Sequence, residues 1–250
     1  MTLPQVFLDR PFAHRALHDV ADGRPENSLA AVRAAIEAGY GIEVDLQLSR
    51  DGVPMVFHDY DLKRLTGQTG LVADKTAKEL GAVTLLGAGE GIPTLGDLLT
   101  LVAGQVPLLI ELKDQSETLS PEPGVLASAA AKLLSSYDGP AAVMSFNPHS
   151  IVELARLLPD VPRGLTTCDF AQKDWPLVPA DRLEAARHFA EYSNAKACFV
   201  SHDHADLNSP HLERLRAAGA TILCWTICSA EEETAARGKA DNITFEGYLA

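Results

Sequence analysis

Acidic side chains recur at alternate positions in two apolar segments of the chain. Glu43 and Asp45 alternate with aliphatic residues within Gly41–Leu48, and Glu111 and Lys113 do so within Leu-Leu-Ile-Glu-Leu-Lys. Side chains of a β-strand alternate between its two faces, so each segment predicts one aliphatic face and one polar face. Three carboxylates brought together from such faces suit a hard divalent cation that takes oxygen ligands, either Mg²⁺ or Ca²⁺.

Two other interpretations compete with a metal site. The acidic face of the first segment is also compatible with the solvated face of an edge strand. Lys113 is also compatible with a purely structural salt bridge to Glu111. Burying two like charges together is costly unless a cation neutralises them, and this cost favours the metal site if both segments lie inside a barrel.

Two histidines end apolar segments and are candidates for proton transfer. His14-Arg15 follows one segment and His58-Asp59 follows another. Imidazole changes its protonation state near neutral pH, so one neutral and one protonated copy can act together as base and acid. Arg15 offers a fork of donors for a phosphate, although an ion pair with Glu26 is an alternative. Asp59 either orients His58 or caps the turn.

Other polar residues are expected to be structural. His18 has no polar neighbours that suggest chemistry, His202 is expected in a loop or at a rim, and Lys63-Arg64 reads as a surface charge pair. The four cysteines lack C-x-x-C spacing, which favours buried small side chains over a zinc site.

The elements that position these residues alternate along the chain. Short apolar segments and Ala/Leu-rich helical patterns follow one another, which is typical of a parallel sheet covered on both faces. Helices are predicted at Ser28–Ala38, Pro123–Tyr137, His149–Leu158, Asp181–Glu191, Pro210–Ala218 and Ala230–Arg237. Eight strands favour a closed α/β barrel of the (β/α)8 type, and they are predicted at Pro11–Arg15, Gly41–Leu48, Pro107–Leu112, Ala141–Phe146, Pro162–Thr167, Ala197–Ser201, Ala220–Ile227 and Asn242–Phe245.

One segment interrupts the alternation. Asp51-Gly52 is a tight-turn signal, so Val53–His58 is expected to fold back antiparallel on the second strand. The Gly- and Thr-rich stretch that follows has weak periodicity. We therefore expect one catalytic domain, residues 1–250, in which residues 51–92 form a small insertion over the mouth of the barrel.

Length, charge and hydropathy exclude several classes of function. The 250 residues carry a formal net charge of −13, which argues against binding to nucleic acid or to an anionic membrane surface. No uncharged apolar stretch approaches the ~18 residues that a membrane span needs. The first residues lack the basic and apolar pattern of a secretory signal, so a cytoplasmic location is expected.

Taken together, the motifs resemble the glycerophosphodiester phosphodiesterase family. The resemblance spans nearly the whole chain. The motifs occur in the same order and spacing as in the family, and this combination is far more specific than any single dipeptide. The motifs are His14-Arg15, Pro25-Glu26-Asn27-Ser28, Glu43-Val44-Asp45, Asp51-Gly52, Phe57-His58-Asp59, Leu62, Thr66-Gly67, Glu111-Leu112-Lys113, Ser145-Phe146 and Trp225-Thr226.

The resemblance implies a TIM barrel, a divalent cation (Mg²⁺ or Ca²⁺) and hydrolysis of a small glycerophosphodiester to glycerol 3-phosphate and an alcohol. The residue roles that it implies are metal ligation by Glu43, Asp45 and Glu111, general base catalysis by His14, general acid catalysis by His58, phosphate binding by Arg15 and Lys113, and a glycerol pocket lined by Phe146 and Trp225.

Three positions depart from the family pattern, and two alternative functions are considered beside the one that the family implies. Ala16 stands where the family usually has Gly, Ser28 where it has Thr, and Phe245-Glu246 where it commonly has Asp. A related phospholipase or lyase that stops at a cyclic phosphate is one alternative. The other is a catalytically silent barrel that binds anions, which would be expected to lack at least one of the histidines or carboxylates.

Overall fold

The strands form one closed sheet. The computed structural model describes residues 1–250. Its strands are β1 (Phe12–Ala13), β2 (Gly41–Leu48), β3 (Pro54–Val56), β4 (Leu108–Leu112), β5 (Ala141–Ser145), β6 (Arg163–Thr167), β7 (Phe199–Asp203), β8 (Thr221–Ile227) and β9 (Asn242–Phe245).

The sheet closes because β1 pairs in parallel with both β2 and β9. The other neighbours, from β2 through β4 to β9, are also parallel and follow chain order, and β3 runs antiparallel to β2 outside this ring. Eight parallel strands therefore form the barrel, and the predicted (β/α)8 TIM-barrel fold is confirmed.

Helices connect successive strands on the outside of the barrel. They are α1 (Leu29–Ala38), α2 (Lys63–Thr66), α3 (Ala77–Gly81), α4 (Leu95–Val102), α5 (Leu126–Leu134), α6 (Pro148–Leu157), α7 (Ala180–Arg187), α8 (Pro210–Ala217) and α9 (Ala230–Arg237). Not one of them has both the length and the apolar character that crossing a membrane requires.

Local signals explain where α1 begins and ends. The Ser28 hydroxyl accepts a hydrogen bond from the Ala31 amide, and Gly39 ends the helix with φ +73°, as a helix cap and a left-handed terminator should. Helix α4 was not predicted. Its own start signal is a capping box between Thr94 and Asp97.

Two of the eight predicted barrel strands are displaced by two residues at an end, and the other six agree with the structure to within one residue. The first strand stops at Ala13 because Arg15 and Ala16 have φ of 51° and 65°, which turns the chain away from the sheet. Strand β7 is displaced toward the carboxyl terminus and reaches Asp203. His202 therefore lies in a strand and is buried, and the loop or rim position expected for it is wrong.

The barrel interior changes in character along its axis. Near the amino-terminal ends of the strands, apolar side chains such as Phe12, Leu109 and Phe199 pack with Leu3 and Phe7 of the amino-terminal segment. Nearer the carboxyl ends, the same inward faces carry the polar residues of β2 and β4. The aliphatic residues of the opposite faces pack against the helices in the main core.

The segment between β2 and α4 contains β3, α2 and α3 and has a small core of its own. This core includes Met55, Phe57, Leu62, Leu80 and Ile92, all of them buried. Its close packing is visible at Gly91, where a Cβ atom would lie 1.9 Å from the carbonyl oxygen of Gly81.

Candidate active site

One cavity of about 340 Å³ brings all the predicted site residues together. It lies at the carboxyl ends of the parallel strands, where side chains from different strands converge on the barrel axis. The predicted residues that line it are His14, Arg15, Glu43, Asp45, His58, Glu111, Lys113, Phe146 and Trp225.

The three carboxylates form a compact cluster. Glu43, Asp45 and Glu111 each offer an oxygen within 4.8 Å of the others, and all three residues are buried. Asp45 and Glu111 are partners in the β2–β4 register, so the parallel pairing itself places them side by side. Their burial excludes the alternative in which this face of β2 is solvated.

Lys113 neutralises part of this negative charge. Its Nζ lies 2.7 Å from Asp45 Oδ1 and 2.5 Å from Glu111 Oε1, so the salt bridge considered in the sequence does form. Burial alone would raise the pKa of Asp45, but Lys113, His58 and Arg15 outweigh burial and hold that pKa well below its usual range.

Glu43 is the least neutralised member of the cluster. Its Oε2 accepts a hydrogen bond from the backbone amide of Arg15 at 2.9 Å, and no basic side chain pairs with it. Burial, together with the charges of Asp45 and Glu111, raises the pKa of Glu43 well above its usual value. A bound divalent cation would remove this cost, so the all-oxygen, buried donor set fits a hard cation.

His14 is oriented by a carboxylate that the sequence analysis did not select. Its Nδ1 lies 2.6 Å from Oε2 of Glu246, which follows β9. A carboxylate only accepts hydrogen bonds, so Nδ1 carries the proton and Nε2 is left as the basic nitrogen. His18 Nε2 lies 3.4 Å from the same oxygen, a polar contact that the sequence did not indicate.

These contacts determine the charge states on this side of the cavity. Burial lowers the pKa of His14, although the hydrogen bond that His14 donates to Glu246 acts in the opposite direction. Hydrogen bonds from His14 and His18 hold the pKa of Glu246 far below its usual value. At neutral pH the arrangement is therefore a neutral His14 beside an ionised Glu246.

His58 has a similar carboxylate partner. Its Nδ1 lies 2.8 Å from Asp59 Oδ1, so Asp59 orients this ring. Arg64 Nε donates to Asp59 Oδ2 at 2.7 Å and Arg64 Nη1 donates to Glu26 Oε2 at 2.7 Å. Arg64 is exposed, as expected of a surface charge, but it is also part of a hydrogen-bond network that the sequence did not indicate.

Arg15 completes this network inside the cavity. Its Nη1 donates to Glu26 Oε1 at 2.7 Å, and its Nε lies 3.6 Å from Asp45 Oδ2. The Arg15 Nε is buried without a hydrogen-bond partner, so the guanidinium keeps unused donor capacity beside the carboxylate cluster. Ala16, the departure from the family's Gly, has a left-handed φ of 65°, a conformation that glycine adopts more readily.

Aromatic rings form the apolar part of the cavity lining. The ring centroids of Phe146 and Trp225 are 5.7 Å apart, and those of Phe146 and Trp175 are 5.1 Å apart. Trp225 Nε1 donates to the Ser201 carbonyl at 3.0 Å, which holds the indole against the sheet. Phe146 and Trp225 line the same cavity as the carboxylate cluster, so the cavity has an apolar part and a charged part.

Comparison with known proteins assigns the family. The family model described as "Glycerophosphoryl diester phosphodiesterase family" matches residues 14–242, a range that contains every residue lining the cavity except Thr244 and Glu246. The chain belongs to the glycerophosphoryl diester phosphodiesterase family. The resemblance seen in the sequence is thereby confirmed, and so is the prediction of an enzyme of this family.

Relatives of this glycerophosphoryl diester phosphodiesterase cover most of its length. YhdW of Bacillus subtilis (strain 168) is 31% identical over 237 residues, which are 91% of this chain and 89% of that protein. A glycerophosphodiester phosphodiesterase of Caldanaerobacter subterraneus subsp. tengcongensis is 35% identical over 150 residues, which are 56% of this chain and 60% of that protein.

Solved structures share the barrel. An Oleispira antarctica phosphodiesterase in complex with the product sn-glycerol-3-phosphate matches with a TM-score of 0.76 and 24% identity, covering 96% of this chain and 93% of that one. A glycerophosphodiester phosphodiesterase from Thermotoga maritima matches with a TM-score of 0.70 and 22% identity, covering 94% of each chain. At these identities the likeness shows the fold.

Proposed function

We propose that this enzyme hydrolyses glycerophosphodiesters to glycerol 3-phosphate and an alcohol, using a divalent cation and two histidines. One observation carries the proposal. His14 and His58, each with Nδ1 bound to a carboxylate, line the same cavity as the buried cluster of three carboxylates. The product bound to the Oleispira antarctica relative supports the same class of substrate.

In this proposal Glu43, Asp45 and Glu111 hold the cation, which is Mg²⁺ or Ca²⁺. When bound, the cation supplies positive charge that offsets the charge of the phosphodiester and of its transition state. Arg15 and Lys113 add to that field. Both side chains lie against Asp45, so a phosphate bound beside the cluster is within their reach.

His14 is the general base. Its Nε2 accepts the proton of the glycerol 2-hydroxyl as that oxygen attacks phosphorus and the bond to the alcohol breaks. His58, protonated and held by Asp59, donates a proton to the departing alcohol. The products of this step are a cyclic phosphate and the alcohol. The two roles reverse when water opens the cyclic phosphate to glycerol 3-phosphate.

An internal nucleophile lowers the entropic barrier of the proposed reaction. Holding the 2-hydroxyl near phosphorus removes much of the entropic cost of bringing two molecules together, up to ~7–11 kcal/mol in well-oriented cases. Phe146 and Trp225 would cover the carbon atoms of the glycerol group. Both rings are fixed by neighbours, Phe146 by Trp175 and Trp225 by its hydrogen bond to Ser201.

The surroundings of the site complete the proposal. We infer that the whole chain is one catalytic domain and that residues 51–92 cover its mouth, because Asp59 and Arg64 of this segment reach the network beside His58. We also infer a cytoplasmic location, which the four unpaired cysteines support.

Phosphorus NMR of the products tests the proposal. Glycerophosphocholine, glycerophosphoethanolamine and glycerophosphoglycerol are incubated with the enzyme, with Mg²⁺, with Ca²⁺ or with excess chelator. The proposal expects glycerol 3-phosphate as the final product in the presence of a cation. Accumulation of the cyclic phosphate alone would indicate a lyase, and the absence of any product with all substrates and cations would indicate an anion-binding barrel.

A further inference from the structure

A second cavity adjoins the active site and has a different lining. Its volume is about 260 Å³, and its lining has two aromatic residues, Tyr60 and Trp175, three acidic residues, Asp114, Glu117 and Asp174, and no basic side chain. We propose that it binds the cationic ammonium group of the substrate's alcohol, so that the enzyme prefers choline-type glycerophosphodiesters. This proposal rests on the function proposed above.

The chain itself places this cavity beside the catalytic residues. Tyr60 follows His58 by two residues, which limits the distance between their Cα atoms to about 7 Å. Asp114 directly follows Lys113. The Tyr60 hydroxyl donates to the Asp114 carbonyl at 2.8 Å, so the two walls of the cavity are joined.

The aromatic wall is continuous between the two cavities. Phe146 lines the active site, and its ring contacts Trp175, which lines the second cavity, with centroids 5.1 Å apart. In the proposed reaction His58 protonates the departing alcohol, so the alcohol leaves on the side of the cavity to which Tyr60 belongs. A two-carbon spacer separates the ester oxygen of a choline diester from its ammonium group, so the ammonium group lies close to the departing oxygen and on the same side.

The charges in the second cavity suit a cation that cannot donate hydrogen bonds. The Asp114 carboxylate is buried and accepts hydrogen bonds from Ser116, Leu119 and Asn147, so its charge is already stabilised within the chain. The side chains of Glu117 and Asp174 are the unpaired charges of the cavity lining. A quaternary ammonium needs only negative potential and aromatic faces, which Tyr60 and Trp175 provide. Glu117, Asp174 and Tyr60 are exposed and Trp175 is half-buried, so water weakens each single contact and the carboxylates and rings are expected to act together.

The decisive comparison uses two substrates of the same shape. One is glycerophosphocholine, and the other is its 3,3-dimethylbutyl analogue, in which carbon replaces the ammonium nitrogen. We expect kcat/KM to be about tenfold higher for the choline diester, as one cation–π site and nearby carboxylates would produce. Equal values for the two diesters would overturn the proposal while leaving the proposed hydrolysis intact.

Variants locate the preference in the second cavity. Tyr60→Leu and the double variant Glu117→Gln/Asp174→Asn are each expected to reduce the preference to about threefold or less. The matched control is Glu37→Gln/Asp138→Asn, which removes two exposed charges near the amino-terminal ends of the strands and is expected to keep the tenfold preference. A preference that survives in both cavity variants would overturn the assignment.

Choline alone provides a readout that does not depend on turnover. Trp175 is one of only two tryptophans, so a titration with choline is followed by protein fluorescence. We expect a saturable change in the wild type that Tyr60→Leu weakens at least fivefold, and an identical titration in both proteins would overturn the proposal. Absence of hydrolysis of both diesters would instead refute the proposed function, while this titration still decides whether the cavity binds the cation.

Discussion

Replacing Glu246 by Gln tests whether this carboxylate positions and tunes the proposed base. Gln keeps the length of the side chain and an oxygen that can accept the His14 Nδ1 proton, but it removes the negative charge 2.6 Å away. The ring should therefore keep its tautomer and lose part of its basicity. The expected result is a slower enzyme with an unchanged fold.

The size of the effect follows from the contact. A hydrogen bond to a charged group contributes about 1.5–3 kcal/mol, and the Glu246 side chain is 33% exposed, which reduces the expected loss to about 1–2 kcal/mol. At about 1.4 kcal/mol per tenfold, kcat should fall roughly 5- to 30-fold. Because this hydrogen bond raises the pKa of His14, the acid limb of the pH profile should also move to lower pH.

The assay is release of glycerol 3-phosphate from glycerophosphocholine, followed across pH in a double-mutant cycle. His14→Ala should cost roughly 10²- to 10⁴-fold, and His14→Ala/Glu246→Gln should be no slower, because the carboxylate acts through His14. His18→Ala is the control for the other contact of Glu246 and should stay within about twofold. Wild-type kcat in Glu246→Gln, or losses that multiply in the double variant, would refute the reasoning.

Three further predictions follow from other features. Excess chelator should abolish hydrolysis, and Mg²⁺ or Ca²⁺ should restore it. Added cation should also raise the melting temperature of the wild type but not that of Glu43→Gln. Full activity in excess chelator would contradict the metal site. Burial lowers the pKa of His14, so this base stays neutral into mildly acidic solution. The acid limb of kcat/KM should therefore lie below pH ~6.5, and a limb above that value would be inconsistent with His14 as the general base. Gly164→Ala would place a Cβ 2.4 Å from the Phe199 ring and should lower the free energy of unfolding, measured by urea titration, by about 1–3 kcal/mol, a loss that Phe199→Leu should partly recover. The control is Gly238→Ala, whose Cβ would meet open space and which should change the free energy of unfolding by less than ~0.5 kcal/mol. Equal effects of the two glycine substitutions would argue against the clash.

The fold was largely predictable because its signals are local. Alternation within β2 and β4 indicated which side chains face the interior, and the caps of α1 marked its ends. Helix α4 was not predicted, since its apolar residues follow a segment without clear periodicity. The early end of β1 was equally hidden, because a left-handed Arg15 depends on contacts made after folding.

The candidate site was predictable only where a residue type is unusual in its segment. Carboxylates in apolar strands and histidines at strand ends met that condition. Glu246 did not, because an acidic residue just after a final strand is common at protein surfaces. A signal was present in its position at the carboxyl end of the eighth barrel strand, the end at which barrel side chains converge.

Arg64 belongs to a helix of four residues, yet it bonds to Glu26 of the β1–α1 connection and to Asp59 beside His58. The β1–α1 connection and the segment that contains α2 are therefore not independent when loops are exchanged between members of the family. A grafted segment that lacks the arginine would leave two acidic groups facing each other next to the proton donor. Engineering of substrate range in this barrel should transfer Glu26, Asp59 and Arg64 as one unit.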